Sequence, residues 1–354
     1  MIWRRISFKL LKWLTFFLFL CTILLTTPWG TKITISILNN IDGLDINYKA
    51  GALVRDIELN AFHLNLETLD ISIEDLTANI NFSCSWQKKL CLDSLELGNF
   101  SFVYTNNKEN ESKKKTLTKS HKHLFVMPFA IEAKAVAIKN SHLAINTTVI
   151  DIEQLSAEVE IKASKFTILQ PNAKKLTIAT NNSKNSVKNN NESVHAIFSR
   201  LPEVYLPISL SIQQLFVDEL AIIERKEDVT HSHKNTEQAV FQQSHLTGTW
   251  TESELKLTKV KTSTVDYVIE HLALKTQLIP PYKINTVLTA QLLNVPAWPE
   301  VSNSTVDISL QGALDALTAS VTSEGNVVMQ SLGHINLTHQ RLPFDLKLSA
   351  DKLP

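Results

Sequence analysis

Two rhythms divide the chain. Near the N-terminus apolar side chains run almost without interruption: Trp13–Leu25 reads WLTFFLFLCTILL, and no charged residue stands between Trp13 and Thr31. Arg4, Arg5, Lys9 and Lys12 come before or at the start of that run. A membrane-spanning helix needs roughly 20 mostly apolar residues, a length the run reaches when extended back over Leu10 and Leu11. The basic residues lie on its N-terminal side only. The positive-inside rule therefore leaves residues 1–9 in the cytoplasm and carries the rest across the membrane. A cleaved signal peptide is the other reading. It expects a shorter apolar core of about 7–15 residues and a small-x-small cleavage site, whereas this run leads into Thr26-Thr27-Pro28-Trp29-Gly30. The pattern thus predicts an uncleaved anchor over 10–28. Next, Ile33, Ile37, Leu38 and Ile41 fall at helical spacing. They predict a short amphipathic helix over 29–42 at the membrane surface, separated from the anchor by Pro28.

From Leu44 the period becomes two. Leu44, Ile46 and Tyr48 alternate with polar neighbours; so do Phe62, Leu64 and Leu66, then Leu69, Ile71 and Ile73, then Leu76, Ala78, Ile80 and Phe82. Short alternating runs bounded by turn residues are the signature of strands. The phase slips by one between Leu59 and Phe62, which places a bulge or turn near Ala61. Phe100, Phe102 and Tyr104 continue the rhythm, as do Ile208, Leu210 and Ile212, and it recurs as far as Phe344, Leu346 and Leu348. Three polar stretches without periodicity interrupt it, over 105–123, 181–194 and 224–245, and read as loop insertions. No helix long enough to cover a sheet is predicted after residue 45. The expectation is a mainly β protein, with residues 43–354 forming a single β-domain beyond the membrane.

Half-apolar strands without covering helices must close on themselves, pair as a sandwich, or leave an apolar face lining a trough. Recurrence of one strand-turn unit, with insertions tolerated along the way, favours an elongated stack in which each unit touches only its neighbours. The inward set would be Leu64, Leu66, Ile71, Ile73, Ile80, Phe82, Phe100 and Phe102, with Ile208, Leu210 and Ile212 as later equivalents. Patterning fixes which face is apolar but not what covers it. A dry core and a lipid-holding groove both remain open at this level.

Composition narrows the function. Lys and Arg total 35, Asp and Glu 35, for no net charge, which argues against a nucleic-acid partner. Cys84 and Cys91 are the only cysteines beyond the anchor. An oxidising compartment favours a disulfide between them; two free thiols is the alternative. His121/His123 and His231/His233 sit in polar insertions without nearby cysteine, so they read as solvated loop residues rather than metal ligands. No nucleophile elbow, P-loop, HExxH or dinucleotide fingerprint is present. Neither enzyme activity, nor a metal, nor a cofactor is expected.

Four stretches resemble one known family, that of TamB, the inner-membrane subunit of the translocation and assembly module, among AsmA-like β-rich proteins. They are the basic-flanked anchor with its short helix; GLDINYKAGALVRDIELNAFHL at Gly43–Leu64; CSWQKKLCLDSLEL at Cys84–Leu97, similar to a Cys-x-Trp-x4-Cys hairpin; and LPEVYLPISLSIQQLFVDEL at Leu201–Leu220. The family's Gly-Gly-Trp before Arg-Asp is Gly51-Ala52-Leu53-Val54 here. Members are several times longer, so the chain reads as an N-terminal portion without the family's C-terminal remainder. The resemblance implies an elongated, curved sheet with an apolar groove (a β-taco), anchored in the inner membrane with its bulk in the periplasm. It implies partnership with a TamA-like outer-membrane barrel and with phospholipids. It also tips the balance toward the groove. Phospholipid transport toward the outer membrane is the leading expectation. The alternative is assembly of outer-membrane proteins and autotransporters by strand exposure.

Overall fold

The structure is a computed structural model and describes residues 2–104, 126–145, 148–182, 206, 208–226, 234–295, 299–338 and 343–352. It opens with two helices, α1 (Ile2–Thr26) and α2 (Pro28–Leu38). Thr27 separates them. Its φ of −109° and ψ of 146° are extended, and its hydroxyl caps α2 by accepting from the Gly30 N–H at 3.1 Å. Pro28 then takes the first helical position, where a missing N–H costs nothing. The two axes meet at 92°. Gly30 makes so sharp a corner possible, because a Cβ there would strike Leu24 Cα and the Ile23 carbonyl oxygen at 2.7 Å.

Among the described residues no single helix is long and apolar enough to cross a membrane. The bent pair Lys12–Thr26 and Pro28–Leu38 reaches the required length and composition together. The chain turns at Thr27, near the end of the stretch 10–28, at the cap and the proline that follows it.

The chain forms two compact units. The first holds both helices and five strands: β1 (Leu44–Gly51), β2 (Asp56–Leu66), β3 (Leu69–Asn81), β4 (Lys89–Tyr104) and β5 (Ala130–Ile145). Residues of β6 (Thr148–Lys162) fall in both units. The second unit holds β7 (Lys165–Asn182), β8 (Ser209–Lys226), β9 (Lys234–Thr251), β10 (Glu254–Ser263), β11 (Tyr267–Gln277) and β12 (Ile284–Leu292). It continues with β13 (Ser304–Ala313), β14 (Ala316–Glu324), β15 (Val328–Ile335) and β16 (Phe344–Lys352). In each unit strand order follows chain order. The expectation of a mainly β protein holds.

Among the described pairings, β4–β5 and β7–β8 run parallel and the others antiparallel. A parallel partner requires the chain to return along the full strand before pairing. The connections that do so are Tyr104 to Ala130 and Asn182 to Ser209. They contain the first two polar stretches, whose residues lie mostly outside those described. The third stretch, over 224–245, departs from its reading as an insertion. β8 runs to Lys226 and β9 begins at Lys234, with Lys226 opposite Lys234 and Glu224 opposite Thr236. Ladder hydrogen bonds join backbones, so a strand end with polar side chains can still pair.

The first unit's core lies where α2 meets the sheet. Ile35 is buried against Ile57 and Leu59 of β2 and Ala78 of β3, with Ile46 and Phe62 packed around them. Helical spacing predicts the helix's apolar face at Ile33, Ile37, Leu38 and Ile41. Instead Ile35 makes the contact, Ile37 is exposed, and Ile41 lies beyond the helix end. The cause is the position of the helix against the sheet. Thr31 Oγ1 accepts from the Leu53 N–H at 3.1 Å, and the Asn39 side chain bonds Ile46 through both backbone groups, at 2.9 and 3.0 Å. With both ends fixed beside β1, residue 35 is the one turned inward.

The slip near Ala61 is visible in the register. Leu59 faces Leu76 and Ala61 faces Glu74, so Asn60 and Asp75 drop out of the ladder together, and Asp75 takes φ +51°. An irregularity on both strands flips the alternation, so Leu59 and Phe62 keep their side chains on one face despite being three apart.

Candidate functional site

Residues directly opposite on neighbouring strands share a sheet face. The register of the first unit therefore assembles the apolar positions into rows. Leu44, Leu64, Ile71, Phe102 and Leu143 align across β1 to β5. The adjacent row is Ile46, Phe62, Ile73, Phe100 and Ser141. Leu66 pairs with Leu69, which in turn faces Tyr104. Ile80 stands opposite Leu92, beside a register shift. In the second unit Leu210 lies between Phe166 and Trp250, and Ile212 between Ile168 and Gly248. Ile208 precedes β8 and adds nothing to a row. Phe62, Phe166 and Trp250 belong to these rows yet were not among the candidate lining residues; cross-strand register, which a sequence does not display, is what adds them.

These large side chains are neither core nor surface. Leu64, Ile71, Ile73, Ile80, Phe100 and Phe102 are all half-buried, as are Leu210 and Ile212, while Leu66 is exposed. In the first unit the buried hydrophobic residues include the patch of Ile35, Ile57, Leu59 and Ala78 and, on β4 and β5, Cys91, Leu97, Ala133 and Val136, none of which is a member of the two rows. The apolar face is thus covered at the α2 end and open beyond it.

Phe82 is placed elsewhere. It begins a 3-10 turn, Phe82–Gln87, in place of the strand that alternation suggests, and its ring is exposed. Asn81 ends the strand: its Oδ1 accepts from the Ser83 N–H at 3.1 Å and from the Ser83 hydroxyl at 2.6 Å. Such side-chain turns compete with the ladder for the backbone N–H. Cys84 in this turn is disulfide-bonded to buried Cys91 on β4, with Cα atoms 6.0 Å apart.

Polar pairs brace the same sheet. Lys134 of β5 donates to Asp93 of β4 at 2.7 Å, and Asn81 donates to the other Asp93 oxygen at 3.0 Å. The Lys134 hydrogen bond, helped by Asn81, holds the Asp93 carboxyl below its usual value of 3.8, and Asp93 raises Lys134 above 10.5. A lowered carboxyl stabilises the fold above its unfolded value and loses that effect as pH falls through the folded one; a raised ammonium loses it as pH rises. Lys134→Met should therefore lower the denaturant midpoint throughout the range from 3.8 to 10.5. The gap from the parent chain should close at more acid and more alkaline pH. A gap that does not vary with pH would show that the pair contributes no linkage.

Among the described residues no group of three His, Cys, Asp or Glu side chains gathers in metal-binding geometry. His121, His123, His231 and His233 lie outside those residues.

Comparison with known proteins then gives a family match. The family model described as TamB, N-terminal domain, matches residues 17–354. No curated protein and no solved structure matches the chain.

Proposed function

From the premise that the chain belongs to the TamB family through its N-terminal domain, and so takes part in the translocation and assembly module, we propose that it carries phospholipid from the inner membrane toward the outer membrane. In this reading α1, continued by α2 across the bend at Thr27, holds the chain to the membrane, the strands stand in the periplasm, and the apolar rows form the floor of a lipid groove of the β-taco kind. An outer-membrane barrel of the TamA type receives what it delivers. No catalytic group, metal or cofactor takes part.

One observation carries the proposal: the aligned apolar rows are half-buried rather than packed. Each methylene moved from water onto such a face gains about 0.8 kcal/mol. A face of Leu, Ile and Phe left partly open suits an extended acyl chain, which needs a continuous apolar lane and no reactive group. A protein with a dry core would have closed over those side chains, since interiors pack to crystal density. The position of α2 fits the same reading, because it covers the rows only where the chain leaves the anchor. A lipid leaving the bilayer beside α2 meets Phe62 first and then Ile73 and Phe100.

A photo-crosslinking residue in place of Ile73 tests this in cells. Ile73 sits between Phe62 and Phe100, so the expected product is a phospholipid adduct. Adducts with protein only would overturn lipid carriage and favour outer-membrane protein assembly through exposed strands.

A further inference from the structure

The disulfide-closed turn has no place in lipid carriage as described so far, and it presents an unusual surface. Trp86 is 94% exposed and Phe82 57%. Single exposed apolar residues are ordinary; two aromatic rings held out on a clamped turn are not. Trp86 makes none of the ring contacts recorded among the described residues. Phe129, one residue before β5, is also exposed.

The location of the turn identifies its occupant. Two hydrogen bonds tie it to the corner where α1 ends. Leu53 N–H donates to Thr31 at the start of α2, and Ile80 N–H donates to the Arg55 carbonyl at 2.7 Å, one residue before Asn81 and the turn. The turn therefore leaves the sheet at the same end as the α1–α2 corner. At that corner Trp29 is 71% exposed. Ile35 of α2 packs on β2 and β3, and the turn follows β3 directly, so it leaves the sheet beside the part that α2 covers. Charge agrees: Lys32, Arg55 and Lys88 are exposed around this end, with Asp56 as the exposed acid beside them. Aromatic rings with basic neighbours are the side chains that settle at a lipid headgroup boundary.

We propose that the Phe82–Gln87 turn is a second membrane contact, a foot that inserts Trp86 and Phe82 into the bilayer interface beside the anchor. The Cys84–Cys91 bond then has a mechanical role. It holds the rings outward before contact, so that less conformational freedom is lost on insertion. A foot fixes the rotation of the sheet about α1, which a single helix cannot do, and so keeps the open end of the apolar rows facing lipid. This rests on α1 being a membrane anchor.

The test uses the full chain in isolated membranes, with p-benzoylphenylalanine in place of Trp86 and, separately, of Glu67. Glu67 is exposed in the β2–β3 turn at the opposite sheet end. The expected result is a phospholipid adduct from position 86 and none from position 67. The adduct at 86 should persist when Phe100→Asp disables the apolar row. Its loss in that background would assign the lipid to the groove and overturn the foot. A protein adduct at 86, or none, in chains that resist alkaline carbonate extraction would also overturn it while leaving the anchor in place. Release of the chain by carbonate would remove the anchor and the foot together.

Discussion

Leu59→Ala should lower the stability of the first unit by about 2–5 kcal/mol, the range for truncating a buried leucine. Leu59 is only 7% exposed and belongs to the single patch where α2, β2 and β3 meet. Its loss removes three carbons from a site that has little freedom to collapse. On one side it is bounded by the hydrogen-bonded β2–β3 ladder, on the other by a helix pinned at Thr31 and Asn39. Ile35→Ala should cost a similar amount through the same cavity. The double variant should fall short of the sum, because neighbours in one packed site couple by about 0.5–3 kcal/mol. Hydrogen exchange on the full chain reads all three. Protection should fall in α2 and in the paired segments Ile57–Leu59 and Leu76–Ala78. Leu66→Ala, at a half-exposed position outside the patch, should change little. Equal effects at 59 and 66 would show that α2 contributes nothing to the sheet.

Which parts of this architecture could be read from residues alone follows from what each part depends on. Strand alternation depends on a face being apolar, so Phe62–Leu66 and Leu69–Ile73 were legible, and so was the slip near Ala61. Register depends on turns and bulges acting together; the alignment of Leu64, Ile71 and Phe102 emerges only when β2, β3 and β4 are paired. Ile35 was hidden because helical periodicity ranks Ile33, Ile37, Leu38 and Ile41 equally well, and tertiary anchors at Thr31 and Asn39 decide the rotation. Phe82 was misplaced because its parity continues β3, while Asn81 diverts the backbone one residue earlier. The β9 start was hidden by its polar side chains, on which ladder hydrogen bonds do not depend. The parallel pairs left a trace only in the length of the polar connections, which alternation cannot interpret.

Phe100→Asp should reduce phospholipid capture at position 73 roughly 50- to 200-fold. Phe100 faces Ile73 across β3–β4 and Ser141 across β4–β5, and it is half-buried. An acyl chain lying along this row would touch its ring with three or four methylenes. At about 0.8 kcal/mol each, losing those contacts removes about 2.4–3.2 kcal/mol, and every 1.4 kcal/mol is tenfold in affinity. A carboxylate adds to this, because a passing hydrocarbon would strip its water. The fold should survive, since the site is open enough to hydrate the charge, and the strand penalty for Asp is about 1 kcal/mol. Phe100→Leu separates shape from polarity. It keeps an apolar side chain in the row and should retain most of the capture. Circular dichroism and carbonate resistance report folding and anchoring for each variant. Unchanged capture in a folded, anchored Phe100→Asp chain would mean that the lipid does not travel along this row. Loss with Phe100→Leu as well would mean that the ring shapes the sheet rather than the lane.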